Sequence, residues 1–216
     1  MYRVLSLLLQ YPEDDVLEQL TAVKEELAAG PSADVARDVA QDAARDVVRF
    51  IDWIEVQPPA AVRAQFTETF DFHAETSLHL TYHLWGDLRE RGQVLAALKS
   101  YYREAGLILA GGELPDYLPL MLEFAAEVPV HGENLLQVFR SAIEALRRRL
   151  TEQQSPYGLL LEALSKVLPA PGPEVEEEVR KILAGEPPQE TSGIDPAASY
   201  AGTGCPLLAE RSVPRE

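Results

Sequence analysis

An all-helical, single-domain protein is what this sequence predicts, and three observations predict it. Apolar residues recur at spacings of three and four, the helical period, with almost no strand-like alternation. Pairs and clusters such as Gly30-Pro31, Pro58-Pro59, Gly111-Gly112 and Pro169 to Pro173 punctuate these periodic stretches. The 216 residues, 46% hydrophobic and 25% charged, suit one core, because single cores stop growing near roughly 250 residues and such a chain buries about 70% of its unfolded surface.

The chain opens on the apolar run Val4 to Leu9, broken only by Ser6. That run is too short for the core of a signal peptide and far too short to cross a bilayer, so the protein is expected to be cytoplasmic, with no membrane insertion. Val16, Leu20, Val23 and Leu27 make one helical stripe; Val35, Val39, Val47, Ile51 and Ile54 make a longer one that stops at Pro58-Pro59. Pro59 suits a helix start, and Val62, Phe66 and Phe70 then lie four apart on one face. Asp71 to Ser77 reads as a loop into a short helical segment, Leu78 to Trp85, interrupted by Gly86. Asp87 with Glu90 three residues on resembles a capping box for a helix to about Ala105, whose buried stripe would be Leu88, Leu95, Leu98 and Tyr102.

In Glu113-Leu114-Pro115-Asp116-Tyr117-Leu118-Pro119 the two prolines forbid a helix interior but allow an extended approach and a first turn. Asp116 as N-cap would put Pro119 in that turn, with the helix running to Val128. A long helix from about Glu133 to Gln153 carries Leu135, Phe139, Ile143, Leu146 and Leu150; another runs from Tyr157 to Leu168, and a short acidic one follows to Leu183. The expectation is a bundle of about eight or nine helices over residues 1–184. From Gly185 to Glu216, 32 residues hold four glycines and five prolines without periodicity, a composition expected to form a disordered tail. No repeat of fixed period points to a helical array.

Composition also narrows function. With 35 acidic against 19 basic residues the formal net charge is -16, which repels nucleic acid and attracts a basic amphipathic peptide. The single cysteine, Cys205, precludes an intramolecular disulfide and a thiolate metal cluster within one chain, and it falls in the expected tail without a base beside it. There is no nucleophile elbow and no phosphate loop, so no catalytic residues and no enzyme are expected. His79 and His83 have the i, i+4 spacing of two metal ligands on a helix, and a metal-dependent helical hydrolase is one alternative. Leu80 stands where such a motif needs a glutamate, however, and a third ligand would have to come from His73, Asp71, Glu75 or elsewhere; no metal site is assigned, and the histidines read as structural or peptide-contacting. A general helical adaptor is the other alternative.

Aromatic and charged residues are concentrated between Phe66 and Phe124, where Phe70, Phe72, Tyr82, Trp85, Tyr101, Tyr102 and Tyr117 interleave with Asp71, His79, His83, Asp87, Glu113 and Asp116. Rings give rigid apolar contact and carboxylates select basic side chains, a mixture suited to gripping an amphipathic peptide. Within this region, Ser77-Leu78-His79-Leu80-Thr81-Tyr82-His83, Gly86-Asp87-Leu88-Arg89-Glu90-Arg91-Gly92 and Glu113 to Pro119 resemble the nitrate reductase molybdenum cofactor assembly chaperones, as does the opening Leu5 to Pro12. The likeness runs from Val4 to about Leu168. It implies an all-helical fold shared with the chaperones of other molybdoenzymes. It also implies a partner, the apo catalytic (alpha) subunit of respiratory nitrate reductase, bound through its N-terminal segment and held ready for molybdenum cofactor insertion and iron-sulfur maturation. No cofactor would be bound stably by the chaperone itself. The family's Glu-x-Pro-Asp motif is matched by Glu113, Pro115 and Asp116, and its neighbourhood adds Tyr82, His83, Asp87 and Tyr117 as client-binding residues.

Overall fold

The computed structural model describes residues 1–29, 37–86, 88–109, 112–170, 172–174 and 177. The expected tail with Cys205, the position of Asp87 and nearly all of the short acidic helix expected before Leu183 lie outside the described residues. Among them the architecture is all-helical: eleven α-helices, one 3-10 turn, and a single isolated β-bridge between His79 and Tyr117. None of these helices is long and apolar enough to cross a membrane.

The N-terminal apolar run folds as α1 (Tyr2–Leu8), and Val4, Leu5, Leu8 and Leu9 are all buried. The stripe through Val16 and Leu27 divides into α2 (Asp14–Glu18) and α3 (Leu20–Ala29), because the chain turns at Gln19. Helix α4 (Arg37–Glu55) buries Val47, Phe50, Ile51 and Ile54, whereas Val39 near its start is half exposed, contrary to the expected stripe. Helix α5 (Pro59–Phe70) buries Val62, Phe66 and Phe70 as the fourfold spacing requires. After the 3-10 turn Ala74–Thr76 come α6 (Leu80–Trp85) and α7 (Arg89–Glu104). Gly86 separates them at φ +53°, ψ -130°, a conformation natural to glycine alone.

Two capping expectations are corrected. Leu88 is the N-cap of α7, without a side-chain cap, and Leu88 and Leu95 stay outside the buried set that holds Leu98 and Tyr102. Tyr117, not Asp116, caps α8 (Leu118–Glu127), because the Asp116 carboxylate is engaged elsewhere. The expected long helix is two, α9 (Pro129–Val138) and α10 (Arg140–Glu152), parted where Phe139 leaves helical geometry at ψ +16° while its ring stays in the core. Helix α11 (Gly158–Val167) completes the bundle.

Helix α11 lies against α4 and α10, α8 against α1 and α9, and α6 against α7 and α10. The first helix thus closes the same core as the last. Tyr157, just before α11, is ringed by Phe50, Trp53, Phe66 and Phe70 at centroid distances of 4.9 to 6.2 Å. Between α10 and α11 a polar network centred on the buried Glu144 accompanies the apolar core: Glu144 accepts from Arg140 at 2.7 Å, Arg147 at 2.7 Å and Ser165 at 2.6 Å, and Arg147 reaches Glu162 at 2.6 Å. Burial pushes the Glu144 carboxyl upward, but the hydrogen bonds of Ser165 and Arg147 and the arginine charges outweigh it and hold the group ionised below its ordinary range.

Candidate functional site

Thirty-odd residues apart in sequence, the two motif segments meet as backbone before any side chain is considered. Beyond α5 the Thr76 hydroxyl ties the 3-10 turn back to the Thr69 and His73 carbonyls. His79 is then extended and serves as N-cap of α6. It pairs antiparallel with Tyr117: the Leu80 N–H donates to the Asp116 carbonyl at 3.0 Å and the Leu118 N–H to the Leu78 carbonyl at 2.9 Å. Two helix entrances are thereby fixed side by side.

Asp116 sits beneath that pairing with no exposure at all. One carboxylate oxygen accepts from His79 Nδ1 at 3.2 Å; the other accepts from the Thr81 N–H at 3.3 Å, the Thr81 hydroxyl, and Arg91 Nη2 at 3.5 Å. Arg91 Nε donates to the Thr81 oxygen at 2.9 Å, so that hydroxyl passes its own hydrogen to the carboxylate. Burial would raise the Asp116 pKa, but the bonds from His79 and Thr81, with the charges of His79 and Arg91, hold it below the ordinary carboxylate range. The carboxylate is an internal anchor, already saturated with donors.

Tyr82 and His83 follow on α6, both half-buried. The Arg91 guanidinium lies 5.8 Å from the centre of the Tyr82 ring, within cation–π range. His83 Nε2 donates to the Ser77 carbonyl at 2.8 Å, which leaves Nδ1 as an acceptor facing Arg149 Nη1 at 3.5 Å. Burial first, and the Arg149 charge second, push the His83 pKa down to about 4, so its ring is neutral at physiological pH. Arg149 also donates to the Glu75 carbonyl at 2.9 Å, joining α10 to the 3-10 turn. The two histidines therefore do not share a helical face toward one ligand: His79 precedes α6 and turns to Asp116, while His83 turns to Ser77. No group of three or more His, Cys, Asp or Glu side chains is positioned to hold a metal among the described residues.

Glu113 is exposed, Pro115 buried and Tyr117 half-buried. The Pro115 carbonyl accepts from the Tyr102 hydroxyl at 2.9 Å, a buried bond that fastens the 113–117 turn to α7. Tyr102→Phe is expected to lower stability by about 1 kcal/mol, the usual effect of one lost buried hydrogen bond, read as a lower urea midpoint. The Tyr117 ring lies 5.3 Å from that of His79. Of the residues singled out from sequence, Tyr82, His83, Pro115, Asp116 and Tyr117 are thus brought together around one node, Glu113 stands at its rim, and Asp87 lies outside the described residues. Sequence reasoning missed Thr81, Arg91 and Arg149. The first two stand inside the quoted motifs, but only their spatial relation to Asp116 gives them a role.

Comparison with known proteins adds independent findings. The family described as nitrate reductase delta subunit matches residues 36–161. The chain is 34% identical over 169 residues to the nitrate reductase-like protein NarX of Mycobacterium tuberculosis, covering 77% of this chain but only 24% of that protein. It is 32% identical over 168 residues to the probable nitrate reductase molybdenum cofactor assembly chaperone NarJ of Bacillus subtilis, covering 77% of this chain and 87% of the other. With the Escherichia coli nitrate reductase molybdenum cofactor assembly chaperone NarJ it shares 28% identity over 214 residues, 94% of this chain and 86% of that one.

Proposed function

Since the chain belongs to the nitrate reductase delta subunit family, we propose that it is a nitrate reductase assembly chaperone. It binds the apo catalytic subunit through that subunit's N-terminal segment and keeps it competent for molybdenum cofactor insertion. The observation that supports this reading is the Asp116 node, which joins two distant sequence motifs through one buried, donor-saturated carboxylate. Every nearby group with chemical potential is occupied internally: the Asp116 carboxylate by donors, His83 as a neutral bridge, Arg91 by Thr81 and the Tyr82 ring. What remains outward is a rim of rings and carboxylates on a chain of net charge -16, fit to recognise a basic, amphipathic segment.

Binding of this kind acts by mass action. A chaperone that binds only the immature client shifts its equilibrium toward that state by RT ln(1 + [L]/Kd), which delays docking without breaking a bond. The molybdenum cofactor is then cargo of the client, and the chaperone's part is to hold its recipient open.

Affinity capture with the tagged full chain, from cells respiring nitrate without oxygen, is the direct test. Recovery of the apo catalytic subunit is expected; its repeated absence, with an unrelated client in its place, would sink the reading. In vitro, added salt should weaken the complex, and Glu113→Gln should weaken it about threefold, as for a rim charge.

A further inference from the structure

Helix α6 carries Tyr82 and His83, yet its six residues, Leu80–Trp85, are too few to hold a helix in water by themselves. What fixes it comes from other elements. Thr81 binds its first turn to the Asp116 carboxylate and to Arg91, and the Trp85 ring at its end lies 6.4 Å from the Phe139 ring, edge to face. A further tie comes from α10. Arg149 Nη1 donates to the Glu75 carbonyl at 2.9 Å and faces His83 Nδ1 at 3.5 Å, while His83 Nε2 donates to the Ser77 carbonyl at 2.8 Å. One guanidinium, 74 residues beyond Glu75 and 66 beyond His83, thus joins the 3-10 turn to the helix that follows it. Its own helix is fastened to α11 through Arg147, which bridges Glu144 and Glu162.

We propose that Arg149 is a positioning residue for client capture, latching the 3-10 turn and α6 onto α10 through the Glu75 carbonyl and the His83 ring. This deepens the chaperone reading and rests on it. Arginine suits the task, because its charge is permanent and Nη1 carries two hydrogens, one for each acceptor. Burial works against that charge, and the Glu75 and Glu152 carboxylates support it. The imidazole accepts at Nδ1 only while neutral; burial and the Arg149 charge keep it so, against the Ser77 bond and the pull of the Asp116 carboxylate. Long-range electrostatics carry the opposite sign: removing a positive charge from a chain of net charge -16 strengthens its attraction for a basic client. A loss of capture on removing Arg149 therefore reports position and not field.

The test measures the affinity of the full chain for the purified apo catalytic subunit, at a temperature where circular dichroism shows every variant folded. Arg149→Met should weaken it roughly tenfold, the scale on which residues that do not touch the ligand act through a network. Arg149→Lys, which keeps a charge and donors, should recover part of the loss. His83→Leu should weaken capture by itself but add little to Arg149→Met, since both act through one tie. An NMR titration reads the contact itself: in Arg149→Met the His83 ring should take up its proton at higher pH than the value of about 4 in the unsubstituted chain. Should Arg149→Met not fold, Arg149→Gln, which keeps an N–H for the Glu75 carbonyl, replaces it, with a smaller loss expected. Unchanged capture by the folded variant, effects at His83 and Arg149 that simply add, Arg149→Lys no better than Arg149→Met, or an unmoved His83 titration would overturn the proposal and leave the chaperone role standing. Failure of the unsubstituted chain to bind the subunit would remove both readings together.

Discussion

Asp116→Ala is expected to lower the free energy of unfolding by about 3 kcal/mol or more, the range for removing one partner of a buried charge network. Its carboxylate is wholly inaccessible to water, and the Thr81 N–H, the Thr81 hydroxyl, His79 and Arg91 all point at it. Truncation leaves the buried Thr81 N–H and hydroxyl without their acceptor and takes from the partly exposed His79 and Arg91 their shared carboxylate. Asp116→Asn, which keeps the shape and one oxygen acceptor, is expected to recover part of the loss. Urea titration followed by tryptophan fluorescence reads both. The same group imposes a pH dependence. Its folded pKa lies below the unfolded carboxylate value, so its contribution is fully present above the ordinary carboxylate range of about 4 and is lost as pH falls through the lowered folded value. Acid unfolding of Asp116→Asn should therefore be flatter in that window than that of the unsubstituted chain, and parallel curves would contradict the assignment.

Gly132→Ala is the second substitution with a large expected effect. On α9 a Cβ at this position would stand 2.7 Å from Ala125 Cβ and closer still to the Ala125 backbone, at the crossing of α8 with α9. Real Cβ atoms do not approach so near, so the two helices must separate, at about 3 kcal/mol, the upper end of ordinary overpacking. Gly92 on α7 is the control, since a Cβ there meets nothing within 4 Å. Gly92→Ala should raise stability by roughly 0.5 to 1 kcal/mol through helix propensity alone. Thermal or urea unfolding of the two variants separates a backbone crossing from a helix preference, and equal effects would refute the close crossing.

The residues explain which parts of this architecture were legible beforehand. Val62, Phe66 and Phe70, like Leu135, Ile143, Leu146 and Leu150, are buried because a face repeating every three to four residues leaves a helix no other way to sit on a core. Boundaries were less legible: Phe139 is apolar and in phase with its neighbours, so nothing local marks the break between α9 and α10. Asp116 shows the same limit at the candidate site. Its place before a helix and near two prolines fits an N-cap, and only the arrival of α6 and α7 draws its carboxylate inward.

By itself the sequence determined the helical class, the acidic charge and most of the faces that form the core, since each follows from residue type and near-neighbour spacing. Which carboxylate is buried and which stays outward was decided only in three dimensions. Asp116 finds its donors on residues 25, 35 and 37 positions away, and no local period encodes partners at that separation. Desolvation compels a buried charge to take whatever donors the packed helices bring to it, while Glu113, three residues earlier, stays exposed to solvent and needs none.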